Sequence, residues 1–393
     1  MSEPRYASDP TELPGWEHLA RPHTFYAGAP WLRFADTDGL ARSHYLCLPG
    51  TAALSAHWTE HEVNGGYLAH RMLPGVPEGP ALTLGGRRGY LSAPLAPEPP
   101  GTTGPFSGDG DPLARLVRGA LELEPRAGGH WWWPYLTGPD AARVLAATRA
   151  WRPHARLIGA DCLLEVPDGG LDAYLGTLHS AQRRTHVRRE IQRYAGSGLR
   201  TEQSHLQPWI TQLGPLLSNV QRKYGHDHSP GQMTDLLQRQ AEHLDARSVV
   251  FLALDPADPD RPVGFSLAYR HGSELTVRVV GFAYERLRGA GEYAELAVHA
   301  PVRYCQEHGL TRLHLGKGSY EAKCRRGAGV RPLWAVSTLP TADGGHPDGA
   351  RRGGVEDVPA ERLAFGLLDR DAAALRTRTD AELDALREAL AAD

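Results

Sequence analysis

Residues 315–334 read LGKGSYEAKCRRGAGVRPLW. An apolar strand pattern (Arg312 to Leu315) runs into a loop holding Gly316 and Gly318, and a short helix begins near Tyr320. Glycine allows a backbone to approach a ligand closely. A helix start offers unbonded N–H groups to an anion or an oxyanion. Lys323 follows Tyr320 by three residues, so both fall on one helical face. A lysine so placed can stabilise negative charge building on an acyl carbonyl oxygen. Arg325 and Arg326 come next, before Gly327. The ordinary alternative is a surface loop and helix with solvated cations.

Working outward, the second half of the chain is regular. Helical periodicity covers Leu171 to Gly196, Pro208 to Lys223 and Gly231 to Ala246. Three strands follow at Ser248 to Leu254, Val263 to Arg270 and Glu274 to Ala283. Turn-rich linkers join them, so they pair as an antiparallel meander. A helix at Glu292 to His308, capped by Gly309, leads to the strand at Arg312, and a last strand is expected at Pro332 to Thr338.

The first half is less regular. Strands are expected near Arg42 to Leu48, Gly66 to Met72, Pro80 to Leu84, Gly89 to Ala93, His130 to Leu136 and Ala155 to Val166. Helices are expected at Pro112 to Leu123 and Pro139 to Trp151. Pro94 to Gly110 reads as an exposed, partly PPII loop, and Thr341 to Gly354 as a mobile one. A C-terminal surface helix is expected over Ala372 to Ala392, with Asp380 as a capping residue.

Composition sets the bounds. With 393 residues the chain exceeds what one core sustains, so two domains are expected. Hydrophobics at 41% exclude wholesale disorder. The net charge of −3 excludes an evenly basic nucleic-acid coat, so any polyanion must meet a local patch. No run of apolar residues is long enough to span a membrane, and the N-terminus lacks a signal-peptide pattern. The four cysteines, Cys47, Cys162, Cys305 and Cys324, have no metal-binding spacing. A reduced, cytoplasmic protein without a metal is expected.

The segment GSYEAKCRRGAGVRP, with the preceding helix and the GLTRLHLG strand, resembles the end of a Fem-like domain. Fem-like proteins are tandem GNAT-fold transferases, related to peptidoglycan-bridge enzymes and to aminoacyl-tRNA-dependent amide-forming enzymes of natural-product pathways. The matching positions are Gly316, Gly318, Tyr320, Lys323 and Gly327, and the helix LDAYLGTLHSAQRRTHVRREIQRY (171–194) is similar to the family's basic helix. The resemblance covers about Pro167 to Ser337. Residues 1–165 match only in outline, and the long coiled-coil insertion of some bridge enzymes is not seen. The resemblance implies an α/β (α+β) fold of two GNAT-like units, each a mixed, mostly antiparallel sheet flanked by helices. The units would be residues 1–166, degenerate, and 167–340, carrying the motifs, followed by residues 341–393.

It also implies aminoacyl transfer from aminoacyl-tRNA, as co-substrate, to an amine of a small molecule or peptide. Lys323 would stabilise the acyl group or the donor's 3′ end. Tyr320 would position the donor or pass a proton to the leaving hydroxyl, and Gly316, Gly318 and Ser319 would hold the acyl end.

The basic helix also has physics of its own. Arg183, Arg184, Arg188, Arg189 and Arg193 accumulate on it, with His186 among them and only Glu190 opposed. Like charges four residues apart cost a few tenths of a kcal/mol per pair, about 0.2–0.5, unless neutralised. With Arg325 and Arg326 they are candidates to hold phosphates; the ordinary reading is a solvated face.

Arg286, Gly289 and Gly291, in ERLRGAG, resemble the acyl-CoA loop of GNAT enzymes, which wraps a pyrophosphate at a helix start. An acetyl-CoA-dependent N-acyltransferase therefore stays open, as does a non-catalytic binding protein. Tyr224, His226, Asp227 and His228 form a candidate acceptor pocket or a solvated loop. His57, Glu60 and His61 have an inverted zinc-protease spacing, but their flanks allow only a short helix, so an exposed helix or turn is expected. His130 with Trp131, Trp132 and Trp133 reads as a buried strand.

Overall fold

A computed structural model describes residues 3–96, 110–340, 354–356, 367 and 369–391. Most of the loop expected at Pro94 to Gly110 and of that at Thr341 to Gly354 lies outside the described residues. The strands are β1 (Arg5–Ala7), β2 (Ala41–Leu48), β3 (Ala52–Thr59), β4 (Ala81–Leu84), β5 (Trp132–Leu136), β6 (His154–Glu165), β7 (Arg200–Ser204), β8 (Ser248–Leu254), β9 (Gly264–His271), β10 (Glu274–Phe282), β11 (Arg312–Gly316), β12 (Gly329–Ser337) and β13 (Val355–Glu356). The chain divides into one unit of residues 1–160 with 331–393 and a second of residues 161–330.

The first unit orders its strands β1-β2-β3-β4-β5-β12, antiparallel except for β4 against β5. The last strand of the chain's regular part, expected in the second unit, belongs here because Trp334 and Val336 register against Leu136 and Trp133 of β5. Trp131, Trp132 and Trp133 are wholly buried, with rings to both faces of the strand. The helix Pro112–Leu123 starts where Asp111 accepts a hydrogen bond from the Leu113 N–H. The C-terminal helix Asp369–Ala391 carries Glu382, whose carboxylate accepts from the Trp334 indole N–H at 2.7 Å.

Four expectations in this unit are corrected. Gly66 to Met72 is not a strand: Asn64 accepts from the Gly66 N–H and closes a turn, after which Ala69–Met72 is helical. Gly89 to Ala93 makes only an isolated bridge at Ser92. The His57–Glu60–His61 segment is no helix or turn, since His57 is buried in β3 and Glu60 pairs with Arg126. Asp380 caps nothing, because its helix starts eleven residues earlier, at Asp369.

The second unit orders its strands β6-β11-β10-β9-β8-β7. β8, β9 and β10 form the expected antiparallel meander, and β11 joins β10 in parallel. The expected helix at Leu171 to Gly196 is two helices, Gly170–Thr177 and the basic helix Ala181–Ala195. The break falls at Leu178 to Ser180, where the Ser180 side chain accepts from the Arg183 N–H and starts the second helix. The helix Ile210–Lys223 packs on β10 at Gly281, where a Cβ would sit 2.8 Å from the Leu217 backbone. The run Glu292 to Glu307 is helical, with one π turn at Glu295–His299. No helix among the described residues is long and apolar enough to cross a membrane.

Candidate active site

Every candidate residue singled out from the motif lies in the second unit. β11 pairs antiparallel with β6, and the register slips between His314 and Gly316. Such a slip re-aims the chain at the end of a strand. Gly316 (φ 68°), Gly318 (φ 73°) and Ser319 (φ 48°) then take left-handed conformations, so the loop curls tightly. For Ser319 this costs about 1–2 kcal/mol, strain of the kind found at functional sites.

The helix after the loop spans only Tyr320–Cys324. One turn is too short to supply the anion-binding N-terminus expected from the sequence, which corrects that reading. What holds the loop instead is Lys323. It is 6% exposed, and its Nζ donates to the carbonyls of Gly316 at 3.1 Å and Lys317 at 2.9 Å. A trans peptide sets its N–H opposite its C=O. Both carbonyls face Nζ, so the N–H groups of Lys317 and Gly318 are aimed away from it. Burial pushes the Lys323 pKa below the usual lysine value, against the pull of Cys162, Asp161 and Cys324.

Beneath the loop lies a group of ionisable side chains that motif reading missed. Asp161 on β6 and His314 on β11 are fully buried, with His314 Nε2 2.8 Å from Asp161 Oδ2. Lys317 is part-exposed, and burial lowers its pKa to about 8 against the pull of Asp161. Burial raises the pKa of Tyr293, in the helical run, and the neighbouring Ser319 side chain works against that rise. An acid inside the apolar pattern GADCLLEV was the one sequence signal for this group. Tyr320 packs its ring against the unit's apolar core.

The cations expected to hold phosphates separate into two groups. Arg326 is buried and forms a two-pronged pair with Glu190, Nε to Oε2 at 3.0 Å, and also donates to the Ala322 carbonyl. Arg183 donates to the Cys324 carbonyl at 2.9 Å and Arg184 to the Leu178 carbonyl at 2.8 Å. Each of these two part-buried guanidiniums thus spends one N–H on tying down a backbone carbonyl. Arg325 pairs with Glu321 on the surface and Arg188 lies 3.6 Å from Asp172. Arg189 and Arg193 are exposed, with no acidic partner among the described residues.

Glu190, the one acid of the stripe, is thus the inward anchor. His299 Nε2, at the end of the π turn, lies 3.4 Å from Glu190 Oε2. Burial would raise the Glu190 pKa, but His299 and Arg326 outweigh it and hold the carboxyl at about 2.

The loop before the Glu292 helix keeps Gly289 (φ 67°) and Gly291 (φ 92°) in the left-handed region. Arg286, however, is paired with Asp258 and donates to the Arg261 carbonyl. The Glu292 carboxylate accepts from the Arg288 N–H at 2.6 Å, so a negative charge already stands where a pyrophosphate would need donors. Tyr224, His226 and His228 occupy a surface loop, with Tyr224 66% exposed and the two imidazoles stacked at 6.1 Å. Among the described residues no three His, Cys, Asp or Glu side chains gather as a metal site.

With this geometry in place, the relationships of the chain can be read. Residues 181–323 match the acetyltransferase (GNAT) domain family. The second unit therefore carries a GNAT-type domain, and the matched stretch ends at Lys323. No curated protein matches the chain in sequence. Among solved structures, FemX is similar in fold over 86% of this chain and 97% of its own, with a TM-score of 0.60 and 9% identity. L-PGS from Bacillus licheniformis is similar over 84% of this chain and 91% of its own, with a TM-score of 0.50 and 12% identity. The architecture is the mixed, mostly antiparallel sheet with flanking helices that the sequence implied.

Proposed function

We propose that this GNAT-type acyltransferase forms an amide, taking an aminoacyl group from aminoacyl-tRNA and giving it to an amine of a small molecule or peptide. The observation that carries this is Lys323, buried under the Gly316–Ser319 loop with both of its carbonyl bonds made to that loop. It ties down the Gly316 and Lys317 carbonyls, which turns the N–H groups of Lys317 and Gly318 away from its Nζ. Donors so turned are what an oxyanion developing on the ester carbonyl requires. The ester is already activated, so positioning and charge stabilisation supply most of the catalysis.

The choice of donor rests on Arg189 and Arg193, exposed on the basic helix with Arg188, and on the Glu292 carboxylate. The first two suit a polyanion; the carboxylate works against a pyrophosphate at the Gly289–Gly291 loop. Those two left-handed glycines keep acetyl-CoA as the second reading. Tyr224, His226 and His228 stand as the acceptor-side candidates. The test compares wild type and Lys323→Ala with either donor and an amine panel. Full activity of the variant would overturn the role of Lys323.

A further inference from the structure

The first unit has a cavity of its own, of about 220 Å³. A cavity of about 150 Å³ accepts benzene, so this one has room for a two-ring molecule. Its walls are mostly apolar, built from Trp58, Ala69, Leu82 and Leu339, with residues 76–80 along one side. Small-molecule sites have this make-up, an apolar lining with a few placed polar groups. Here the polar groups are Arg126, His130 and Glu78.

Arg126 is not a free cation. It lies over the Trp58 ring at 5.1 Å, and its guanidinium donates to Glu124 at 2.6 and 2.9 Å and to Glu60 at 3.2 Å. Glu78 brings a third carboxylate to the cavity wall. Three acids against one cation disfavour an anionic ligand. His130 is then the group that chooses. Its Nδ1 is 2.7 Å from the Thr338 carbonyl oxygen. A carbonyl can only accept, so Nδ1 carries the proton and, in the neutral ring, Nε2 carries a lone pair. Nε2 has no hydrogen-bond partner among the described residues. A ligand in the cavity therefore meets an acceptor whose tautomer is fixed by the backbone just beyond β12.

We infer that the first unit is a binding module for a planar, non-anionic two-ring molecule that donates one N–H or O–H to His130 Nε2. The indole nucleus is of this class. Its apolar body would displace water from Trp58, Leu82 and Leu339, which supplies most of the affinity. The single donor sets orientation and selectivity, because a ligand without it leaves a buried acceptor unpaired. The site stands whether or not the second unit transfers an acyl group.

The test is equilibrium dialysis of the full chain with indole and with benzofuran, which has the same shape but an oxygen in place of the N–H. Wild type should bind one indole per chain, saturably, and prefer it to benzofuran by about 2–10-fold, the worth of one hydrogen bond. His130→Asn keeps a side-chain N–H for the Thr338 carbonyl and removes Nε2, so it should bind the two alike. Gly79→Leu fills the cavity from its wall, where a Cβ meets no heavy atom within 4 Å, and should abolish saturable binding of both. Thermal melts show that each variant is folded. Absence of saturable indole binding to wild type would overturn the inference, as would equal affinity for the two ligands. So would wild-type binding by folded Gly79→Leu, or an undiminished preference in folded His130→Asn.

Discussion

Arg326 and Glu190 form a buried two-pronged ion pair that ties the five-residue site helix to the basic helix. The pair lets one helix present cations outward while its single acid anchors the segment carrying Lys323. Removing one partner of such a pair leaves an uncompensated buried charge, at about 3–5 kcal/mol. Glu190→Ala should therefore lower Tm markedly and reduce activity without touching the reacting atoms. Thermal melts and donor turnover on the same preparation check this.

The same carboxylate predicts an acid limb in stability. Its folded pKa, about 2, lies below the unfolded value, so its stabilisation is complete above the ordinary carboxylate range. That stabilisation disappears as pH falls from about 4.5 towards 2. Denaturant midpoints across this range should drop for wild type and change much less for Glu190→Gln.

Lys323→Ala should cost about 10²–10³-fold in kcat, the range for losing an oxyanion-stabilising group. Two loop carbonyls would also lose their partner, so KM should rise as well. A variant with unchanged kcat would show that Lys323 is irrelevant to the chemistry.

Gly318→Ala introduces a side chain at φ 73°, into space with no heavy atom within 4 Å. The cost to stability should be about 1–2 kcal/mol, from backbone strain alone. Activity should fall more than stability does, because the outward N–H groups belong to this turn. Circular dichroism melts beside turnover measurements separate the two effects.

Arg189→Gln with Arg193→Gln should weaken tRNA binding and flatten its salt dependence. Two lost phosphate contacts reduce the slope of log K against log salt by about 1.4–1.8. An unchanged slope would place the polyanion elsewhere. Gly289→Ala should lower Tm through strain at its left-handed φ of 67°, and, measured where the variant stays folded, should leave tRNA-dependent turnover nearly intact.

Local pattern made much of the second unit legible. The meander strands announce themselves through apolar runs between turn-rich linkers, and Gly309 ends its helix in the left-handed conformation expected of a cap. The failures have physical causes. β7, RTEQS, is a polar edge strand with little apolar signal, and β3 hides His57 inside a buried run. The buried Asp161–His314 contact stayed hidden because its two members lie 153 residues apart in sequence. The motif cations looked alike in sequence, yet Arg326 is buried against Glu190, Arg183 and Arg184 each donate to a backbone carbonyl, and Arg189 and Arg193 are exposed. Spacing along a helix does not reveal which face meets the core.

The most direct measurement incubates purified protein and a panel of amines with charged tRNA or with acetyl-CoA, and follows the product released. Amine-dependent release of deacylated tRNA, with a new amide and no free CoA from the second donor, is the predicted result. Amine-dependent release of CoA, with charged tRNA left intact, would contradict it.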